Sequence, residues 1–322
     1  MTDPTPSVPV ETATAPPALP GPPPQPPNTI FKGPNGIRAG WRIAVFLAIA
    51  AVVVFVFGVV LVVVGLASRN RNAATELSGV TPFGLAVTEG ALLFCTAIPG
   101  LIMTLIEKRK WSRYGLPLRS AFRSHFWIGG VAGFLSISTC LLAIFALHGF
   151  HLEGFAIHGS TIVSSTLIWS LTFILVGLAE EFSFRGYLQY TLTTGIGFWP
   201  AAILLSLGFG AAHYGNPGET YFGLGSVVLF GLVFCLVLQR TGNLWWPVGF
   251  HAGWDWGQTF FYGVRDSGFP AYHNLFNSSF SGPQWLTGGS VGPEASIFTP
   301  IVLLLFAFLF TRVYRENQYQ VP

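Results

Sequence analysis

Charge is what this 322-residue sequence has least of: Asp, Glu, Lys and Arg together make up 9%, against roughly 25% in a soluble domain. So few charges cannot cover a chain that is 51% hydrophobic, which excludes an ordinary water-soluble fold and leaves lipid as the solvent for most of the surface. Sixteen basic against thirteen acidic residues is too even a balance for a nucleic-acid footprint. Cysteine is scarce as well. Cys95, Cys140 and Cys235 lie far apart inside apolar runs with no CxxC spacing, which excludes a disulfide framework or a zinc knuckle. No HExxH, no G-x-S-x-G elbow, no Cys close to a His, no heptad pattern and no internal repeat occurs. Residues 1–29 hold no Lys or Arg and no apolar core, so they are not a signal peptide.

What is present begins with proline. Residues 1–29 hold eleven, among them Pro22, Pro23, Pro24, Pro26 and Pro27, and such a stretch cannot bury enough apolar surface to offset chain entropy. The expected organisation is a disordered Pro-rich cytoplasmic tail over 1–38 and a transmembrane bundle over 39–318. A spanning helix needs about 20 mostly apolar residues, and eight stretches qualify: 43–67, 83–106, 126–148, 162–190, 198–215, 221–239, 243–262 and 296–312. The predicted fold is therefore an all-α, polytopic membrane helical bundle of about eight transmembrane helices. The Gly-, Ser- and Asn-rich stretch 263–295 reads as an exposed loop. With both termini in the cytoplasm, thirteen basic residues fall inside, including Lys108, Arg109, Lys110, Arg113, Arg119 and Arg123, and only Arg69, Arg71 and Arg265 fall outside. Basic residues favour the cytoplasmic side, so that orientation is expected, and the 108–123 cluster suits anionic lipid headgroups.

An ionisable side chain within the hydrocarbon is costly and marks a functional candidate. The candidates are Glu89, Glu180, Glu181, Arg185, His213, His251 and Asp255. Glu89 stands alone and reads as a helix-packing or snorkelling residue, while His148, His151 and His158 read as solvated at an external turn. Glu181 and Arg185, four apart, share a helix face and can pair; Glu180, rotated by about 100°, is left free. The plain alternative is an ordinary salt bridge at a helix end. His213 closes the fifth stretch, where a satisfied core histidine is the plain reading. His251 and Asp255 share a face of the seventh, among Trp245, Trp246, Trp254 and Trp256, which suit an interface belt as well as a pocket wall. Hydropathy alone would end the fourth helix near Ala179, whereas His213 lies about 22 Å into the fifth. Glu180 and His213 meet if the fourth helix continues to about Tyr190, which is the expectation.

Three elements thus occur in order: Glu180-Glu181-x-x-x-Arg185, Phe209-x-x-x-His213 and His251-x-x-x-Asp255. The set resembles the CPBP family of intramembrane proteases, which includes CAAX prenyl endopeptidases and bacteriocin-processing and self-immunity proteins, over residues 162–262. The resemblance implies that Glu180 activates a water with help from His213. It implies that His251 and Asp255 stabilise the oxyanion, while Glu181 and Arg185 brace the site. The expected activity is endopeptidase cleavage of membrane-associated protein or peptide substrates at the cell membrane, in a bacterial inner membrane, with no cofactor required. The alternatives are Zn²⁺ held by Glu180, His213 and His251, a catalytically silent scaffold or immunity protein of the same fold, and a proton-coupled transporter, against which the lack of repeat symmetry speaks.

Overall fold

The computed structural model describes residues 29–33, 36–68 and 81–320, with backbone only for 64–68. The proline-rich stretch 1–28 and the two arginines assigned to the outside, Arg69 and Arg71, lie outside the described residues. Residues 1–38 and 39–322 are separate compact units. In the first, β1 (Lys32–Gly33) pairs antiparallel with β2 (Gly36–Ile37), so the end of the region read as a tail carries a short hairpin.

The second unit is helical. Its elements are α1 (Ala39–Ser68), α2 (Pro82–Glu107), α3 (Ser124–Ala146), α4 (Ser160–Arg185), α5 (Tyr187–Ile196), α6 (Phe198–Ala212), α7 (Tyr221–Thr241), α8 (Trp245–Asp255), α9 (Gln284–Thr287) and α10 (Phe298–Val313). Five helices among the described residues are long and apolar enough to cross a membrane: α1 over Ala39–Val63, α2, α3, the α4–α5 run and α7. The chain is a multi-pass membrane bundle, with five spans of full length in place of the expected eight. The other three stretches are helical but shorter. α6 and α10 have 15 and 16 residues, and α8 has 11 before one π-helical turn over Trp256–Phe261. Apolar composition extended those stretches past their helices, into the turn after His213 and across the π turn.

Local chemistry sets several of the ends. Thr81 caps α2 by accepting from Gly84 N at 3.0 Å, with Pro82 in the first turn, and Thr220 caps α7 by accepting from Gly223 N. Asn243 Oδ1 accepts from Trp245 N at 2.9 Å and starts α8.

One end of the bundle is basic and knitted by polar contacts. Arg42 Nη2 lies 2.6 Å from Glu107 Oε2, Tyr187 OH donates to Glu107 Oε1 at 2.7 Å, and Arg109 Nη1 donates to Tyr190 OH. The start of α1, the end of α2 and α5 therefore meet there. Leu244 N donates to Gly115 O, and Arg240 Nη1 to Arg315 O, so α8 begins and α7 and α10 finish at the same end. The opposite end carries β3 (Phe150–Phe155) paired antiparallel with β4 (Phe276–Phe280). This sheet draws the 263–295 stretch back onto the helices, which the composition of that stretch did not reveal.

The closest helix pair is α3 with α8, running parallel. A Cβ on Gly133 would collide with Phe250 O, and one on Gly249 with Phe126 O. Only glycine lets two backbones approach so nearly, the usual route to tight helix packing in lipid. A buried cluster of Trp246, Phe250, Trp254, Phe234 and Phe310 packs against this pair.

Candidate active site

The helix carrying Glu180 breaks but does not end. α4 stops at Arg185, Gly186 adopts a non-helical conformation where a Cβ would meet Phe182 O, and α5 continues to Ile196. The chain then turns at Gly197, in the positive-φ region at 87°, and α6 runs back. The hairpin register is visible in its contacts. Gln189 Nε2 donates to Phe198 O, and the Phe184 and Phe209 rings meet at 5.1 Å. From the turn, Glu180 lies about 24 Å along one arm and His213 about 22 Å along the other. The expected continuation past Ala179 is present, six residues longer than Tyr190 and broken at Gly186.

α8 crosses α4 at Gly177, where a Cβ would lie 3.4 Å from His251 Cβ and closer to Val248 O. His251 thereby reaches the carboxyl groups of α4. Its Nδ1 is 3.1 Å from Glu181 Oε1, and its Nε2 is 3.6 Å from Glu180 Oε2 and 3.5 Å from Asp255 Oδ2. Glu181 Oε1 also pairs with Arg185 Nη1 at 3.3 Å, and both side chains are fully buried. The Arg185 guanidinium lies 4.3 Å above the Phe209 ring, a cation–π contact in a dry setting. Carboxylate oxygens only accept, so Nδ1 of His251 carries a hydrogen toward Glu181. One further proton must lie among Nε2, Glu180 and Asp255, since otherwise only lone pairs would face one another.

His213 follows the last residue of α6. Its Nδ1 is 2.9 Å from Phe209 O; the carbonyl must accept, so Nδ1 bears the hydrogen and Nε2 of the neutral ring is an acceptor. No hydrogen bond or ion pair joins His213 to Glu180 or His251 among the described residues. What joins them is a cavity of about 530 Å³, lined by Glu180, His213, His251 and Asp255 together with apolar side chains such as Trp169, Phe173 and Phe230. Glu181 and Arg185 sit behind its wall. A largely apolar cavity with a few convergent polar groups is the usual form of a binding or catalytic site.

The cavity also holds residues that the sequence reading left out of the site. Glu89 lines it from α2, and Asp266, Ser267 and Glu294 line it from the loop read as exposed. Leu85, Thr88, Glu89 and Leu92 form one helical stripe toward the cavity, so Glu89 faces inward and does not snorkel. Asp266 Oδ2 accepts from Thr259 Oγ1 at 2.8 Å, and Glu294 Oε2 accepts from the backbone and hydroxyl of Ser267 at 2.8 and 2.9 Å. Burial pushes the Asp266 carboxyl up to about 6 and that of Glu294 up to about 8, each reinforced by neighbouring carboxylates. The ligand atoms of Asp255, Asp266 and Glu294 gather within 4.8 Å, a cluster able to hold a cation. Those of Glu180, His213 and His251 form no such group among the described residues. An all-oxygen set suits a hard cation such as Mg²⁺ or Ca²⁺ better than Zn²⁺.

A family model described as Type II CAAX prenyl endopeptidase Rce1-like matches residues 162–257. The match runs from the third residue of α4 into the π turn after α8, and so takes in all three motifs. Among curated proteins none matches the chain.

Proposed function

Because residues 162–257 belong to the CPBP/CAAX-protease family, we propose that this chain is an intramembrane endopeptidase that hydrolyses peptide bonds of membrane-associated substrates with a glutamate-activated water. Glu180 is the base. Its Oε2 is buried with no hydrogen-bond partner on the wall of the cavity, which leaves it free to accept from a water there, as a general base must. His213 assists through the Nε2 lone pair that its bond to Phe209 O leaves free. His251, held by Glu181, directs Nε2 and its proton with Asp255 at the oxygen that becomes negative in the tetrahedral intermediate; donors fixed in a water-poor site supply a large share of such rate enhancements. Arg185 pairs with Glu181, and Glu181 in turn fixes the His251 ring.

The observation that carries this reading is the convergence of Glu180 and Asp255 within 3.6 Å of one imidazole nitrogen of His251 on a cavity that His213 shares. A silent scaffold of the same fold has no need of that convergence. The metal-free mechanism is preferred over Zn²⁺ because the ligand atoms of Glu180, His213 and His251 do not gather into a metal-holding group among the described residues. The basic end of the bundle is placed in the cytoplasm, since Arg42, Arg109, Arg240, Arg312 and Arg315 gather there. Substrates then enter from a cell membrane, by our reading a bacterial inner membrane.

The test uses the full chain purified in detergent, with a farnesylated CAAX-type peptide and a set of unmodified membrane peptides as probes and mass spectrometry as the readout. Wild type is expected to cut at least one probe, and Glu180→Gln to abolish cleavage while melting at the wild-type temperature. Glu180→Gln cleaving at the wild-type rate, or wild type cutting none of the probes, would overturn the proposal.

A further inference from the structure

Two buried carboxylate oxygens in the cavity have no hydrogen-bond partner among the described residues: Glu180 Oε2 on α4 and Glu89 Oε2 on α2. Glu89 lies outside the family-matched segment. Its electrostatic neighbours are Glu180 and His251, and an isolated carboxyl within an apolar helix is costly enough to need a use. Two carboxyl groups facing one low-dielectric chamber resist joint ionisation, which favours a proton on one of the two. The cleavage proposed above needs such a proton in a second place, since the departing amine must be protonated as the C–N bond breaks.

The other titratable groups lining the cavity each have a partner. Among the described residues no Lys or Arg lines it. The His213 hydrogen goes to Phe209 O, His251 faces Glu181, Glu180 and Asp255, and Asp266 and Glu294 accept from Thr259 and Ser267. We propose that Glu89 is a catalytic acid that delivers a proton to the leaving amine. This rests on the reading of Glu180 as the base. Glu180 takes a proton from water as the hydroxide oxygen bonds to the scissile carbonyl carbon. Protonated Glu89 gives its proton to the nitrogen as the C–N bond breaks, which releases an amine and a carboxylic acid. The proton on Glu180 then passes across the cavity to Glu89 and restores the starting state, with no net proton gained or lost.

The leaving group is the discriminating variable, because a thiolate departs without protonation. The purified full chain is assayed on a peptide it cuts and on the same sequence with a thioester at the scissile bond. Glu89→Gln is expected to lower kcat for the peptide by about 100-fold or more, the lower range for a lost general acid, with KM unchanged and thioester hydrolysis within about threefold of wild type. Glu180→Gln is expected to stop both. An equal loss on both substrates, or no loss on the peptide, in Glu89→Gln rejects the proposal and leaves Glu180 as base untouched; full activity of Glu180→Gln on both rejects the base reading itself. A second measurement needs no variant. Wild-type rates for a series of peptidyl anilides should stay nearly flat as the leaving amine changes basicity, and a steep dependence would overturn the role given to Glu89.

Discussion

Glu181→Gln is expected to destabilise the bundle far more than Glu180→Gln, although the two residues are adjacent. Glu181 is fully buried, and its Oε1 faces Arg185 at 3.3 Å and His251 at 3.1 Å. Arg185 is equally buried, and its Nε and Nη2 already lack hydrogen-bond partners, so among the described residues the Glu181 carboxylate is the one negative group paired with it. An amide of the same shape would leave a guanidinium stranded among Phe184, Phe209 and Phe234. Removing one partner of a buried ion pair costs about 3–5 kcal/mol, and at roughly 2–4 °C per kcal/mol for a chain of this order the melting temperature should fall by about 10 °C. A thermal-shift assay in detergent measures it. Glu181→Gln combined with Arg185→Met removes the stranded charge, and the oxygen of the introduced amide would still accept from His251 Nδ1, so the double variant should melt above the single one. A single variant melting within about 2 °C of wild type, less than the shift expected from one kcal/mol, or a double variant melting below the single one, would refute the assignment of Glu181–Arg185 as a buried pair.

Asp255→Asn should retain activity and hold it at about pH 9, because an amide donates N–H at every pH; inactivity across the whole pH range would show that His251 needs a charged partner. Glu294 and Asp266 are shifted upward by burial, so the folded state binds their protons more tightly than the unfolded chain does. The stability they contribute is fully present below the ordinary carboxylate range and lost as pH rises through about 6 and then about 8. Glu294→Gln should flatten that decline in thermal-shift scans, and an unchanged slope would count against it. Cysteine placed at Ser279 should be labelled from outside intact cells and at Ser120 should not, as the arginine distribution requires; the reverse pattern would invert the topology.

The fold was legible where side-chain chemistry is local. Apolar length located all eight helical stretches, and i,i+4 spacing identified Glu181 with Arg185 and His251 with Asp255. The parts that were not legible depend on how distant segments meet. Glu89 has no polar partner at helical spacing, so nothing in its own helix separates a cavity residue from a snorkelling one. Asp266 and Glu294 sit in a stretch whose Gly, Ser and Asn content signals turns but carries no information on depth. The β3–β4 pairing that draws the stretch inward joins positions more than a hundred residues apart. Hydropathy also overcounted full-length spans, because it records how apolar a segment is and not where its helix stops.

The glycine contact between α3 and α8 leaves no layer of side chains between the two backbones. Helices separated by such a layer can slide by small rotamer changes, whereas these two can move only together. His251 and Asp255 are therefore fixed in height by a helix that contributes nothing to the cavity wall. A saturation scan would find its deepest intolerance at Gly129 and Gly133, remote from every reacting atom, and a drug-like inhibitor would meet a wall on that side that does not give. Whatever widens the chamber to admit a substrate must come from its other walls, α2, α6, α7 or the 263–295 loop.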